Sequence, residues 1–353
     1  MTANRRVIIV VGQAGLAVAR CLQRRGVDPV VFDANAMVGD AWRRRYDSLV
    51  LFTPAQYDGL PDVPFPAPRD THPTKDQVAD HLAAYATRFS IEIRSGYRVE
   101  RLSRQGANGP FRIDTDHQGV EATVVVVATG ALQDPAAPPF AGRLSEAVTQ
   151  MHGSGCRTPS DMRGRRVLVV GAGNSGGQIA GEPSGHVDTA ISYDRLPKRL
   201  PQRLLGQDIF WWLQKMGVLD RPRAASGGSA GAVGAIPLIG SPLGDLGRSG
   251  ALRHVARVVD AGTEGPLLAD GTTERPDGVI WATGSRNDFS WIDIPDPLLP
   301  DGTPAHHRGV RTTVPGLSFI GMPGLQTKGS AFLGFVGRDA EHLAGELLEA
   351  RAV

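Results

Sequence analysis

One pattern occurs twice in this chain. Residues 7–22, "VIIVVGQAGLAVARCL", and residues 166–180, "RVLVVGAGNSGGQIA", each run from a β-branched stretch through a glycine turn into a segment with one apolar helical face. A strand without polar alternation must be covered on both faces, so each copy reads as the front of a βαβ unit in a parallel sheet. The copies also close alike, on "VVVVATG" at 124–130 and "DGVIWATG" at 277–284. The expected class is α/β, with two Rossmann-like dinucleotide-binding domains.

In the second copy Gly171, Gly173 and Gly176 hold the G-x-G-x-x-G spacing between strand and helix that such a site requires. Gly171 allows the tight turn, Gly173 lets the backbone approach a pyrophosphate, and Gly176 permits close helix–strand contact. Asn174 and Ser175 stand at the helix start, where free N–H groups favour negative charge. Setting Gly15 against Gly176 pairs Gly12 with Gly173, and pairs Val10 with Gly171. A β-branched residue resists positive φ. The expectation for the first loop is strain at Val10 of about 1 to 3 kcal/mol, with weakened binding. Asp33 ends the second strand, where an acid meets a ribose hydroxyl.

The 353 residues suffice for two domains. The net charge of +2 is spread over short patches such as Arg43-Arg44-Arg45 and Lys198-Arg199, too brief for a nucleic-acid tract. Cys21 and Cys156 are the only cysteines, which excludes both a disulfide framework and a Cys-x-x-Cys redox centre. The apolar run after the basic N-terminus is too short for a signal-peptide core, and no stretch approaches the roughly 20 apolar residues of a membrane span. A cytoplasmic enzyme without membrane or nucleic-acid partners is expected, and a homo-oligomer stays open. "HPTKDQVADHLAAYATRF" reads as a helix, and the segments "IEIRSGYRVERLSRQ", "PFRIDTD" and "VEATVVVVATG" as an antiparallel meander returning to the sheet. Gly181 and Pro183 should end the helix after the second loop near Glu182. Residues 224–235, "AASGGSAGAVGA", read as a flexible surface loop. Trp211 and Trp212 read as a packing pair, and His306 and His307, without Cys or carboxylate at ligand spacing, as loop residues; no metal site is expected.

Taken in order, "GQAGLAVARCL", "VGDAWRRRYDSLVLFTP", "LPDVPFP", "HPTKDQVADHLAAYA", "VVVVATG", "VLVVGAGNSGGQIA" and "DGVIWATG" resemble the class B flavin monooxygenases over nearly the whole chain. That group includes flavin-containing, Baeyer–Villiger and plant indole-pyruvate monooxygenases, and the likeness leans to small bacterial members. The resemblance implies an NADPH domain, residues 157–284, inserted in a discontinuous FAD domain, residues 1–150 and 285–353. It implies that Gly12, Ala14, Gly15, Asp33, Gly39, Trp42, Val99, Thr129 and Gly130 hold FAD. Gly171, Gly173, Asn174, Ser175 and Gly176 would hold NADPH, with Thr283 and Gly284 at the junction. Arg195, Lys198 and Arg199 follow the next strand, where a basic group meets a 2′-phosphate, and Asp194 beside them opposes it. His152 resembles the histidine of the linker motif, although Cys156 replaces the aromatic expected four residues on.

The activity implied is oxygenation of a small organic substrate by molecular oxygen through a C4a-(hydro)peroxyflavin, after hydride transfer from NADPH. Two departures stand out. Gly324 lies where an aromatic is common, and Thr53 is followed by Pro54, with no match for the asparagine that assists oxygen activation. Thr53, Gln326 and Lys328 are the polar candidates for catalysis. Two alternatives stay open at this point: an NAD(P)H-dependent flavoprotein reductase or oxidase without a disulfide centre, and a flavin-binding protein impaired in turnover.

Overall fold

A computed structural model describes residues 7–10, 12–106, 109–158, 162, 166–182, 187–196, 198–221, 237–241, 243–295, 298–299, 303–309 and 314–352. The first strand, β1 (Val7–Val10), enters helix α1 (Gln13–Gln23), and β2 (Val30–Asp33) returns beside it. After α2 (Asp40–Arg43) and α3 (Lys75–Arg88) come β3 (Glu92–Ser95), β4 (Val99–Arg104), β5 (Phe111–Thr115), β6 (Gly119–Ala122) and β7 (Val124–Val127). The first sheet is parallel throughout, in the order Leu317–Phe319, β7, β1, β2, β3.

Alternate residues of its central strands serve two cores, as a period of two demands. Ile9, Val31 and Val126 are buried with Leu16 and Leu22 of α1 and Leu82 of α3. Ile8, Phe32 and Val125 turn the other way, onto Leu102 of β4 and Phe111 and Ile113 of β5. The strands β4, β5 and β6 form the expected antiparallel meander. The segment before them does not join it: β3 pairs parallel with β2 and edges the main sheet.

The second unit repeats this plan. Its parallel sheet runs Arg253–Val255, Asp188–Ser192, Arg166–Val170, Gly278–Trp281, Thr149–His152. Val167 and Val169 meet Ile179 and Ala180 of α4 (Asn174–Gly181), while Leu168 and Val170 meet Val258 and Leu268 of an antiparallel pair. Helix α4 ends at Gly181 with Glu182 as its cap, as the sequence leads one to expect. Pro183 and residues 224–235 lie outside the described residues.

The chain crosses between units upstream of residue 150. Ala141 and Leu144 are buried with Leu168 and Val258, and Thr149–His152 edges the second sheet, so both belong with the second unit. Asp134–Pro135 and Ser285–Arg286 pair antiparallel where the two crossings run side by side.

Helix α5 (Ile209–Lys215) buries Ile209 and Phe210 and leaves Trp211 and Trp212 half-buried, edge to face. The Trp212 indole donates to the Leu204 carbonyl at 2.9 Å, while Trp211 lies under the Lys215 ammonium. After the short α6 (Leu243–Arg248), the closing helix α7 (Val336–Ala352) buries Leu343 and Ala344 in the core that α1 also fills. Glu341 on α7 accepts from Arg25 at 2.6 Å.

Candidate active site

The two loops at the strand ends differ in length. Ala128 donates to the Val10 carbonyl and Ala282 to the Val170 carbonyl, each at 2.8 Å, so Val10 matches Val170, the last residue of its strand. It does not occupy the turn position that alignment on the glycines assigns to it. Val10 pairs with Phe32 on one side and Val127 on the other, and the expected strain at this residue is absent.

Gly12 combines what the second loop divides between two glycines. It caps α1 with extended backbone, φ −160°, as Gly173 caps α4. A side chain on Gly12 would stand 2.5 Å from the Ala128 carbonyl oxygen, as one on Gly171 would stand 2.4 Å from that of Ala282. Gly171 additionally has φ +109°, which only glycine adopts without strain. One residue separates Val10 from the helix cap Gly12, against two between Val170 and Gly173, which removes the need for the missing glycine.

A cavity of about 430 Å³ opens between the units. Gly12, Ala14, Asp33, Gly39 and Trp42 form one wall, with Thr129 and Gly130 above the end of β7. Asn174 and Ser175, at the start of α4, line the opposite side with Gln178. The Trp42 indole donates to Gln13 Oε1 at 3.0 Å, and Gln133 Nε2 donates to Thr129 Oγ1 at 2.9 Å and to the Gly130 carbonyl at 2.7 Å. Asp33 is 6% exposed; its Oδ1 accepts from the Asn35 backbone at 2.9 Å and from its side chain at 2.8 Å. Burial raises this carboxyl from its ordinary value, and the Asn35 bonds partly offset that.

The Arg43-Arg44-Arg45 patch divides. Arg43 pairs with Asp80, Arg44 is exposed, and Arg45 lines the cavity, where burial lowers its guanidinium pKa and no carboxylate pairs with it among the described residues. Tyr46 lines the cavity too, its hydroxyl donating to Gln178 Oε1 at 3.0 Å across the units. Arg45, Tyr46, Gln178, Phe52 and Phe332 are site residues that sequence reasoning missed. Arg45, Tyr46 and Leu49 follow Trp42 at i+3, i+4 and i+7, a helical spacing that carries a signal for Arg45.

Other expected residues lie off the cavity. Gly15 is inside α1, Val99 opens β4 half-buried, and Gly171, Gly173 and Gly176 shape the loop behind Asn174. Arg195, Lys198 and Arg199 are exposed beyond the strand Asp188–Ser192. Thr283 Oγ1 donates to the Ala136 carbonyl at 2.5 Å, and His152 Nε2 lies 2.8 Å from the Gly284 carbonyl, so both fasten the crossing. Of the three catalytic candidates only Thr53 lines the cavity. Gln326 is buried away from it, its backbone donating to Ser330 Oγ at 3.1 Å, and Lys328 faces solvent. His306 and His307 join no metal-binding cluster among the described residues.

Two glycine loops, an acid at the end of the first unit's second strand and one cavity shared by both units define an oxidoreductase that uses flavin and nicotinamide cofactors. The chain belongs to the class B flavin monooxygenases, within the wider pyridine nucleotide-disulphide oxidoreductase family, whose model matches residues 7–193. It is 39% identical over 343 residues to an uncharacterized oxidoreductase CzcO-like of Geobacillus kaustophilus, covering 97% of this chain and 98% of that one. It is 30% identical over 366 residues to indole-3-pyruvate monooxygenase YUCCA1 of Oryza sativa subsp. japonica, covering 96% and 89%. Among solved structures, a flavin-containing monooxygenase from Stenotrophomonas maltophilia superposes with a TM-score of 0.81 at 27% identity, over 98% of both chains. The bacillithiol disulfide reductase Bdr from Bacillus cereus shares the fold, with a TM-score of 0.73 at 19% identity. No described helix is long and apolar enough to cross a membrane.

Proposed function

We propose that this chain binds FAD on the first glycine loop and NADPH on the second, and uses them to oxygenate a small organic substrate with molecular oxygen. The observation that carries the reading is the single cavity onto which the start of α1 and the start of α4 both open. Two dinucleotides held there would bring their redox rings together. The residues present fit both groups. The start of α1 at Gly12, which no side chain caps, suits a pyrophosphate, the Asp33 carboxylate suits ribose hydroxyls, and the N–H groups at Asn174 and Ser175 suit a second anion. Bound FAD would accept a hydride from the nicotinamide and pass electrons to oxygen. Leu51, Phe52, Phe332 and Leu333 would keep that region dry.

Oxygen is favoured as the electron acceptor because no thiol is in place. Cys21 and Cys156 are both fully buried and neither lines the cavity; burial pushes the Cys21 thiol up to about 12. The test is the visible spectrum of the purified protein with FAD, before and after NADPH, first without air and then with it. Bleaching of the flavin followed by recovery and oxygen consumption is expected. A flavin that NADPH does not bleach, or that stays reduced in aerated buffer, overturns the reading.

A further inference from the structure

Residues 52–60 form a partition. Phe52 and Thr53 line the central cavity, while Tyr57, Gly59 and Leu60 line a second, open pocket of about 380 Å³ on the outside, together with Phe335 and Arg338. Between these faces lies Asp58, 0% exposed. Thr53, itself 3% exposed, donates from Oγ1 to Asp58 Oδ1 at 2.6 Å, and Asp58 Oδ2 has no partner among the described residues.

We propose that Thr53 and Asp58 form a proton relay across this partition, passing protons from solvent in the outer pocket to the reacting atoms in the cavity. The proposal rests on the monooxygenase reading, whose balance is substrate + O₂ + NADPH + H⁺ → oxygenated substrate + NADP⁺ + H₂O. The hydride supplies one hydrogen of the water, and the other comes from solvent. With Asp58 protonated the 2.6 Å bond reverses, its carboxyl donating to Thr53 Oγ1 and the Thr53 O–H turning to the cavity; the Asp58 proton then passes to Oγ1 as the Thr53 proton passes to the acceptor. The Asp58 carboxylate is then reprotonated from the outer pocket. Thr53 touches the cavity; Asp58 acts through it and is a positioning residue.

Burial pushes the Asp58 carboxyl up to about 7, and the Thr53 bond partly offsets this, so the group can both hold and release a proton near neutrality. No charge is placed to prevent that. On the neighbouring segment stand Arg69, Asp70 and His72, and at the cap and end of α5 Asp208 and Lys215. Lys328, Arg338 and Asp339 lie on the segment around Gly334, and Tyr57 and Asp62 on its own. None of them moves the Asp58 pKa, which answers to burial and Thr53 alone. Arg338 is paired with Asp220, and Asp208 accepts from the Phe210 backbone and from Gln202.

Two measurements test the relay. The first is infrared titration of the protein, Asp58→Asn providing the assignment: a protonated-carboxyl band absent from the variant should fade in the wild type as pH rises through about 7. A band that does not titrate there overturns the relay, whatever the oxygen chemistry. The second is rapid mixing. Asp58→Asn should leave anaerobic reduction by NADPH unchanged, slow reoxidation in aerated buffer at least about tenfold and flatten its pH profile, with partial recovery in Asp58→Glu. Reoxidation at the wild-type rate and with the wild-type pH profile overturns the proposal. If Asp58→Asn fails to fold or loses flavin, Thr53→Ser and Thr53→Val decide instead, the serine reoxidising normally and the valine slowly; equal rates for the two sink the idea. A wild-type protein inert to oxygen refutes the monooxygenase reading, and the infrared titration then judges the Asp58 proton store separately.

Discussion

Val10 and Gly12 show how two adjacent positions in one motif answer to different constraints. Val10 is a ladder residue with a buried side chain, so Val10→Gly should not improve flavin retention. It should instead lower stability by about 2 to 3 kcal/mol, through lost burial and the freedom of glycine in a strand, as read by urea unfolding. Gly12→Ala would drive a methyl group to 2.5 Å from a backbone carbonyl that cannot yield, and the purified protein should carry no FAD. Retention of a full complement of FAD by that variant would refute this account of the loop. Asp58 gives a pH-dependent counterpart. Its folded pKa of about 7 stands above the ordinary 3.8, so the folded state binds the extra proton. The stability this group provides is full below about 3.8 and is lost as pH rises to about 7. Asp58→Asn mimics the protonated form, and its unfolding free energy relative to wild type should rise across that window, by about 4 kcal/mol at most. A difference that is flat with pH would show that Asp58 keeps an ordinary pKa.

Among the elements, α3 has the most local explanation. Thr74 accepts from the Gln77 backbone while the Gln77 side chain accepts from the Thr74 backbone at 2.9 Å, a closed capping box that starts the helix at Lys75. Thr74→Ala should cost about 1 kcal/mol in thermal unfolding, and Thr74→Ser very little. An alanine variant as stable as the wild type would show that tertiary contacts alone hold this end. The strand β3 teaches the opposite lesson. Its sequence, "EIRS", gives an extended segment and nothing about its partner, and pairing with β2 instead of the meander is settled by where α3 delivers the chain. The end of α4 was legible because Gly181 and Pro183 are poor helix residues whatever surrounds them.

At the scale of the whole molecule, the second unit presents Arg195, Lys198 and Arg199 to solvent just past the strand end, a fitting place for a 2′-phosphate. NADPH should reduce the flavin faster than NADH, with Asp194 keeping the preference modest, and changing the three basic residues to Ala should erase it. Equal rates with both coenzymes, unaltered in the triple variant, would remove these residues from coenzyme recognition. The sequence by itself determined the duplicated strand–loop–helix plan, the paired Ala-Thr-Gly closures and the absence of a dithiol, because backbone periodicity, glycine spacing and residue identity are local properties. The union of the two units around one cavity, the inward turn of Arg45, the burial of Gln326 and the Thr53–Asp58 bond were decided only in the tertiary structure. Each depends on which distant segments meet, and burial, which sets the Asp58 pKa and removes Gln326 from the site, has no value until they do.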